Sequence, residues 1–327
     1  MGLEIVTIKK ILLYRLKALM MNRNFLLLIL ISIMIGCSQK QPNTWQERIV
    51  ETHQEALSLA YSEYGNENGK TLLFLHGFGE SQKTWRFLVP QLAKKYHLVL
   101  VDLKGFGESP KIKDDAYSVY DHAKIVAKFM EQKGLKNVNI VAHSLGGGVA
   151  LVLGLMQRDA LLASKTIESL VLINSTAYKQ ALPSMLKTLN QPMIGFLAIH
   201  FASNEYMAEE GYRYAFYNDD LIPKESVMYT SQCLGYPLAK YAYLQSVEQL
   251  VPDDITTIEK RYREILLRTL ILWGREDVSI HIYQANKLHR ALRNSRLKVF
   301  SKVGHMPQEE SPRKVIEEIV KFMEEKP

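Results

Sequence analysis

From Thr71 onward the hydrophobic and polar positions switch period in a regular rhythm. Short apolar runs alternate with longer stretches in which apolar residues recur every three or four positions. Thr71–Leu75 (TLLFL) predicts a buried strand, with a helix near 82–93 after it. His97–Leu103 predicts a second strand, and Tyr117–Lys133 a long amphipathic helix. Val138–Ala142 is a third short apolar run, with a helix after it to about Gln157, and Ser169–Asn174 (SLVLIN) is a fourth. After a long interval come Leu270–Trp273, a helix near 280–293, Leu297–Phe300, and a final helix over 308–325 with a charged outer face. Ahead of all these, segments around 47–52 and 57–63 alternate and predict an antiparallel pair. Buried strands alternating with helices predict an α/β fold: a mostly parallel sheet with helices on both faces. In such sheets ligands sit outside the carboxyl ends of the strands.

Residues 177–267 break the rhythm. They read as several helices and no strands, punctuated by Pro183, Pro192, Pro223, Pro237 and Pro252. Ten of the chain's 17 tyrosines fall there, about twice the share of an even spread, so the segment is rich in apolar bulk. An insertion of this kind at the active edge predicts a helical cap, which also packs a small core of its own. The expected organisation is therefore a core of 47–176 and 268–327, a cap of 177–267, and two N-terminal pieces: a targeting segment, 1–36, and a polar tether, 37–46.

With 47% hydrophobic and 23% charged residues the chain has a globular composition. The formal charge of +7 is not a nucleic-acid signal, because more than half of it lies in residues 1–36, where Lys9, Lys10, Arg15, Lys17 and Arg23 face only Glu4. No nucleic-acid partner is expected. From Met20 or Met21 the N-terminus has a short basic start at Arg23 and an apolar run, Phe25–Ile35, too short to span a membrane comfortably. It ends in Met34-Ile35-Gly36-Cys37, which resembles a bacterial lipoprotein signal. The resemblance implies cleavage after Gly36, lipidation of Cys37 and export to a membrane, the outer one in a Gram-negative host because Ser38 is not a retention aspartate. On this reading residues 1–19 are an upstream extension from a misplaced start codon; an uncleaved amphipathic or membrane anchor is the alternative. The second cysteine, Cys233, has no His or Cys at ligand spacing and is expected as a small buried residue. No metal or other cofactor is expected.

The candidate chemistry lies in three glycine turns at the predicted sheet edge. GFGES occurs at Gly77–Ser81 and again at Gly105–Ser109. Neither copy carries the Lys-Ser/Thr of a phosphate loop or completes G-x-G-x-x-G, so a phosphate cradle is disfavoured. The third turn is Ala142-His143-Ser144-Leu145-Gly146, where a buried strand runs straight into a glycine-led helix. A serine there sits in a tight turn that lifts its Oγ out of the sheet edge, provided that small residues flank it two positions away. Ala142 and Gly146 meet that need. A helix N-cap is the plain alternative for Ser144, but a cap requires no such flanks.

These motifs resemble, in order, those of the α/β-hydrolase superfamily over roughly residues 47–325. Ala142–Gly146 is similar to its G-x-S-x-G elbow, with alanine replacing the first glycine. His76-Gly77-Phe78-Gly79 resembles the oxyanion loop, Trp273–Asp277 the acid loop and Val303-Gly304-His305 the histidine loop. The resemblance is greatest to the branch with a helical cap after the sixth strand. It implies a Ser144 nucleophile, a His305 base, an Asp277 orienting acid with Glu276 as runner-up, and an oxyanion hole from the Phe78 and Leu145 amides. It gives the second GFGES copy a structural part, with Asp102 and Ser109 bonding loop backbone. His76 and His143 are expected to support the site through hydrogen bonds, while the other histidines have no such context. The implied function is a membrane-tethered serine hydrolase acting on a small-molecule ester or lipid, with no cofactor. Serine rather than aspartate at the elbow argues against dehalogenase and epoxide hydrolase chemistry. Two other readings stay open: hydrolysis of a C–C bond in a vinylogous diketone by the same triad, and a ligand-binding or sensing protein of low turnover.

Overall fold

A computed structural model of the protein describes residues 58–180, 182 and 184–325. The targeting segment, the tether, Cys37 and the expected strand at 47–52 lie outside the described residues. Seven strands form one sheet: β1 (Tyr61–Gly65), β2 (Thr71–Leu75), β3 (His97–Val101), β4 (Val138–His143), β5 (Ile167–Ile173), β6 (Arg268–Gly274) and β7 (Ser295–Phe300), in the spatial order β1-β3-β2-β4-β5-β6-β7. Every pairing is parallel except β1 with β3, so the strand expected near 57–63 starts at Tyr61 and is antiparallel to β3.

The central strands are buried on both faces, which is why they read as continuous apolar runs. Alternate residues point to opposite sides of a sheet. On one side Leu72, Phe74, Leu98, Val141, Val171 and Leu272 pack with α1 (Val89–Leu92) and the last helix into a single cluster with Trp85, Val315 and Phe322. On the other, α2 (Val119–Gln132) packs against α3 (Leu145–Arg158), which lies on β4 and β5. A capping box fixes the start of α2: Ser118 Oγ accepts from the Asp121 amide and the Asp121 carboxylate accepts from the Ser118 amide.

The interval 177–267 contributes helices and no strand among the described residues. These are α4 (Ser184–Leu189), α5 (Pro192–Phe201), α6 (Asn204–Ala215), α7 (Lys224–Leu234), α8 (Ala239–Glu248) and α9 (Ile255–Ile258). Leu186, Leu189, Ile199 and Val247 form its own small core, which Phe78 and Tyr243 also join. Beyond it lie α10 (Ile282–Ala291), α11 (Pro307–Glu310) and α12 (Pro312–Glu324). Two predicted helices are divided. In place of one helix over 82–93 there is a 3-10 turn at Gln82–Trp85 and then α1, and the last helix divides at Ser311. Both breaks have one cause: a proline ring clashes with the carbonyl four residues back, so Pro90 and Pro312 can begin helices but not continue them. Cys233 is half-exposed on α7 rather than buried as expected.

Leu272→Ala should cost about 2–5 kcal/mol of unfolding free energy, the range for emptying a fully buried leucine site, since Leu272 is fully buried between β5 and β7. Urea unfolding of wild type and variant measures it.

Candidate active site

The site starts from one backbone constraint. Ser144 has φ 49° and ψ −116° between β4 and α3, a conformation that side-chain-bearing residues seldom adopt. The turn brings α3 so near β2 that a Cβ on Gly146 would lie 2.4 Å from the Leu75 carbonyl oxygen and 2.6 Å from that of His76. Only glycine fits there. Ala142 is fully buried, which shows that the position on the other flank tolerates a methyl group. Ser144 makes no cap hydrogen bond with its side chain; its Oγ stands 3.0 Å from His305 Nε2 instead. The N-cap alternative is thereby replaced by a side-chain relay.

The relay continues through the ring. His305 Nδ1 donates to Asp277 Oδ2 at 2.8 Å. Asp277 follows β6, and its carboxylate also accepts from Asn174 Nδ2 at 2.6 Å and from the amides of Ser279 and Ile280 at 2.7 and 2.9 Å. Burial alone would push its pKa up, yet the charge and hydrogen bond of His305, with the Asn174 and Ile280 donors, hold it below the usual carboxylate value. Burial likewise disfavours the imidazolium of His305, but Asp277, with Glu80 and Glu310 further off, outweighs it and leaves His305 above its ordinary value. Glu276, the runner-up acid, accepts instead from the Val303 amide at 3.0 Å and so braces the histidine loop.

Three further groups order the surroundings. His76 donates from Nδ1 to the Gly77 carbonyl and accepts at Nε2 from the Leu103 amide, which fixes its tautomer and ties the two GFGES loops together. His143 donates from Nε2 to the His305 carbonyl at 2.8 Å. Its Nδ1 stands 2.8 Å from Glu80 Oε1, at ion-pair distance but off the direction of a hydrogen bond. Glu80 Oε2 accepts from the Gly77 amide at 3.1 Å. Burial would push the Glu80 carboxyl up, and the adjoining His143 holds it lowered. In the second copy, Asp102 accepts from the Gln82 and Glu108 amides, and Ser109 Oγ donates to the Asp102 carbonyl. Both residues bond loop backbone, as the motif resemblance implies.

A cavity of about 130 Å³ opens beside Ser144 and His305. Phe78 and Glu80 wall it from the core, and Leu186, Met207, Tyr212 and Tyr243 from the 177–267 insertion. The insertion also grips the histidine loop: the His305 amide donates to the Ala215 carbonyl at 2.7 Å. Glu310 accepts from the Gly304 and Met306 amides on one oxygen and from Tyr217 on the other. Leu145 is the first residue of α3, so its N–H has no carbonyl behind it in the helix. Sequence reasoning missed Glu80, Asn174 and Glu310. Glu80 carried one signal, its place inside a quoted motif; Asn174 and Glu310 carried none. Among the described residues no group of three or more His, Cys, Asp or Glu side chains is placed to hold a metal ion, and no helix is long and apolar enough to cross a membrane.

The arrangement is a serine hydroxyl within hydrogen-bond reach of an imidazole that a buried carboxylate orients, beside a largely apolar cavity. The family described as alpha/beta hydrolase fold matches residues 70–312, and the chain belongs to it. It is 26% identical over 272 residues to the uncharacterised hydrolase YugF of Bacillus subtilis, a match covering 82% of this chain and 95% of the relative. Lipase 1 of Psychrobacter immobilis is 27% identical over 259 residues, 77% of this chain and 76% of the lipase. Among solved structures, a thermophilic esterase from Thermogutta terrifontis superposes with a TM-score of 0.67 at 21% identity, over 82% of this chain and 93% of the esterase, which shows the shared fold.

A base acts only above its own pKa, and Asp277 is a principal cause of the rise in that of His305. NMR titration of the His305 ring should therefore give a midpoint above 6.5 in the wild type. In Asp277→Asn the midpoint should fall, because burial then acts with less opposition. An unchanged midpoint in the variant would contradict the electrostatic reading.

Proposed function

We propose that the protein is a serine hydrolase that cleaves carboxylic esters through an acyl-enzyme. The observation that carries this reading is the unbroken relay Ser144 Oγ, His305, Asp277 at 3.0 and 2.8 Å, opening on an apolar cavity. Ser144 Oγ attacks the acyl carbon while His305 Nε2 takes its proton. The Phe78 and Leu145 amides receive the oxyanion, and the partial positive charge at the start of α3 favours it further. The intermediate collapses, the C–O bond breaks, and His305 returns the proton to the leaving alcohol. A water molecule, deprotonated by the same nitrogen, then attacks the acyl carbon, and the acid leaves as Ser144 regains its proton.

The supports are of different kinds. Family membership makes the protein a hydrolase; the lipase and esterase resemblances, at 27% and 21% identity, lean toward esters. No particular feature of the cavity favours the C–C bond alternative. The proposal extends to location: the Gly36-Cys37 pattern supports lipidation and membrane tethering of the exported chain.

Ser144→Ala should abolish ester turnover and labelling by a fluorophosphonate probe while the variant stays folded; undiminished labelling would refute the nucleophile. Asp277→Asn should slow kcat by at least about a hundredfold, and by up to roughly 10⁴, with little change in binding. Glu276→Gln should cost much less, since Glu276 braces a loop and leaves the ring alone. Steady-state kinetics on one activated ester separates them, and a reversed order would reassign the acid. For location, a fatty-acid analogue fed to the host should tag the wild type and not Cys37→Ser; equal tagging of both would reject lipidation.

A further inference from the structure

Beside the catalytic cavity lies a second, smaller chamber of about 40 Å³. Thr176, Gln180 and Leu250 line both, so one thin septum divides them. No acidic or basic side chain lines the chamber. Val119, Val152, Ile255 and Ile258 form its apolar wall. The hydroxyls of Tyr120 and Tyr262 are engaged elsewhere, on Asp254 Oδ1 and the Ala177 carbonyl, while the buried Tyr178 hydroxyl has no hydrogen-bond partner among the described residues. A charged group there would find no opposite charge and would cost several kcal/mol to bury, whereas a hydrocarbon gains from burial.

The chamber also accounts for a glycine that the elbow leaves unexplained. Of the three glycines opening α3, Gly146 is required by β2, and Gly147 has its missing Cβ position 2.1 Å from Ser175 Oγ. Gly148 lines the chamber, and a Cβ on it would stand 2.6 Å from Thr176 Oγ1, pressing on the septum. Glycine at 148 therefore leaves open the space nearest the nucleophile's own helix turn.

We infer that this chamber is the distal subsite for the substrate's acyl chain, and that the substrate is an ester of a linear, uncharged acid of medium length. The inference rests on the ester reading. The acyl rather than the alcohol portion is assigned because the leaving alcohol must take its proton from His305. His305 and Met306 line the catalytic cavity and neither lines the chamber, whose wall toward the cavity is Thr176, Gln180 and Leu250. Thr176 is held against the nucleophile, donating from both its amide and its hydroxyl to the Ser144 carbonyl at 3.0 and 3.1 Å. A chain running from the Ser144 acyl carbon into the chamber must part the septum of Thr176, Gln180 and Leu250, but it leaves the histidine loop in place.

The test compares p-nitrophenyl esters from butyrate to laurate on the full chain and on two filled variants, Val152→Phe and Ile258→Phe. Wild-type kcat/KM should rise about fourfold per added methylene, the factor that burying one CH₂ supplies, up to the length the chamber accepts. Each variant should move the optimum to shorter chains and lower the decanoate-to-butyrate ratio of kcat/KM at least tenfold; two variants on different helices guard against one failing to fold. An unchanged ratio in both, or a length preference that follows the alcohol chain in a matched series of alkyl butyrates, would overturn the inference. Labelling of Ser144 by fluorophosphonates of graded alkyl length, which needs no turnover, separates the two readings. If no ester is hydrolysed yet labelling keeps its chain dependence and loses it in the variants, the ester reading fails and the chamber stands as a chain site. Labelling indifferent to length would remove the chamber.

Discussion

Everything in the site depends on the turn at Ser144. A non-glycine residue at positive φ costs of order 1–3 kcal/mol and persists only where its surroundings over-determine it. Here they do. The Ser144 amide donates to the Ile173 carbonyl at the end of β5, while its own carbonyl accepts from Gly147, Gly148 and Thr176. The close passage of Gly146 over β2 leaves the chain no room to relax. The strain holds Oγ away from its own helix and toward His305, where a relaxed N-cap serine would turn its oxygen back to the helix amides. Binding of sheet, elbow and helix into one unit also places the Leu145 N–H and the Gly77–Gly79 loop at the same edge.

Around that turn the protein gathers a buried carboxylate, Asp277, and two part-buried ones, Glu80 and Glu310, with distinct tasks. Asp277 accepts four hydrogen bonds and so stays charged in spite of burial. Glu80 joins the Gly77 loop to His143, whose other nitrogen donates to the His305 carbonyl. Glu310 clamps the backbone on either side of His305 and reaches Tyr217 beyond. Each of the two loops is thus pinned by a carboxylate that accepts from its own backbone amides, and such charge-assisted bonds are stronger than neutral ones. Because Ala215 and Tyr217 belong to the insertion, the cover of the cavity and the position of His305 are coupled.

Much of this was legible in the chain. The strands declared themselves because burial on both faces requires unbroken apolar runs, and Ser144 because only small residues permit its turn. Asp277 and His305 were reachable through motif order. What escaped was long-range. Asn174 meets Asp277 across 103 residues, and nothing local to an Asn after a strand announces it. The partner of β1 was equally hidden, because an edge strand's neighbour is set by topology and not by its own pattern. The divided helices were within reach, since Pro90 and Pro312 stand in plain view, but the amphipathic period around them outweighed the steric rule. The half-exposed place of Cys233 depends on how α7 lies, which composition cannot supply.

The central claim is that Ser144 carries the acyl group between two half-reactions. The most direct measurement is mass spectrometry of the protein quenched in acid during turnover of a slowly deacylating ester. The account predicts an added mass equal to the acyl group, located on the peptide containing Ser144 and decaying as product acid appears. Turnover with no adduct at any time, or an adduct on another residue, would contradict it.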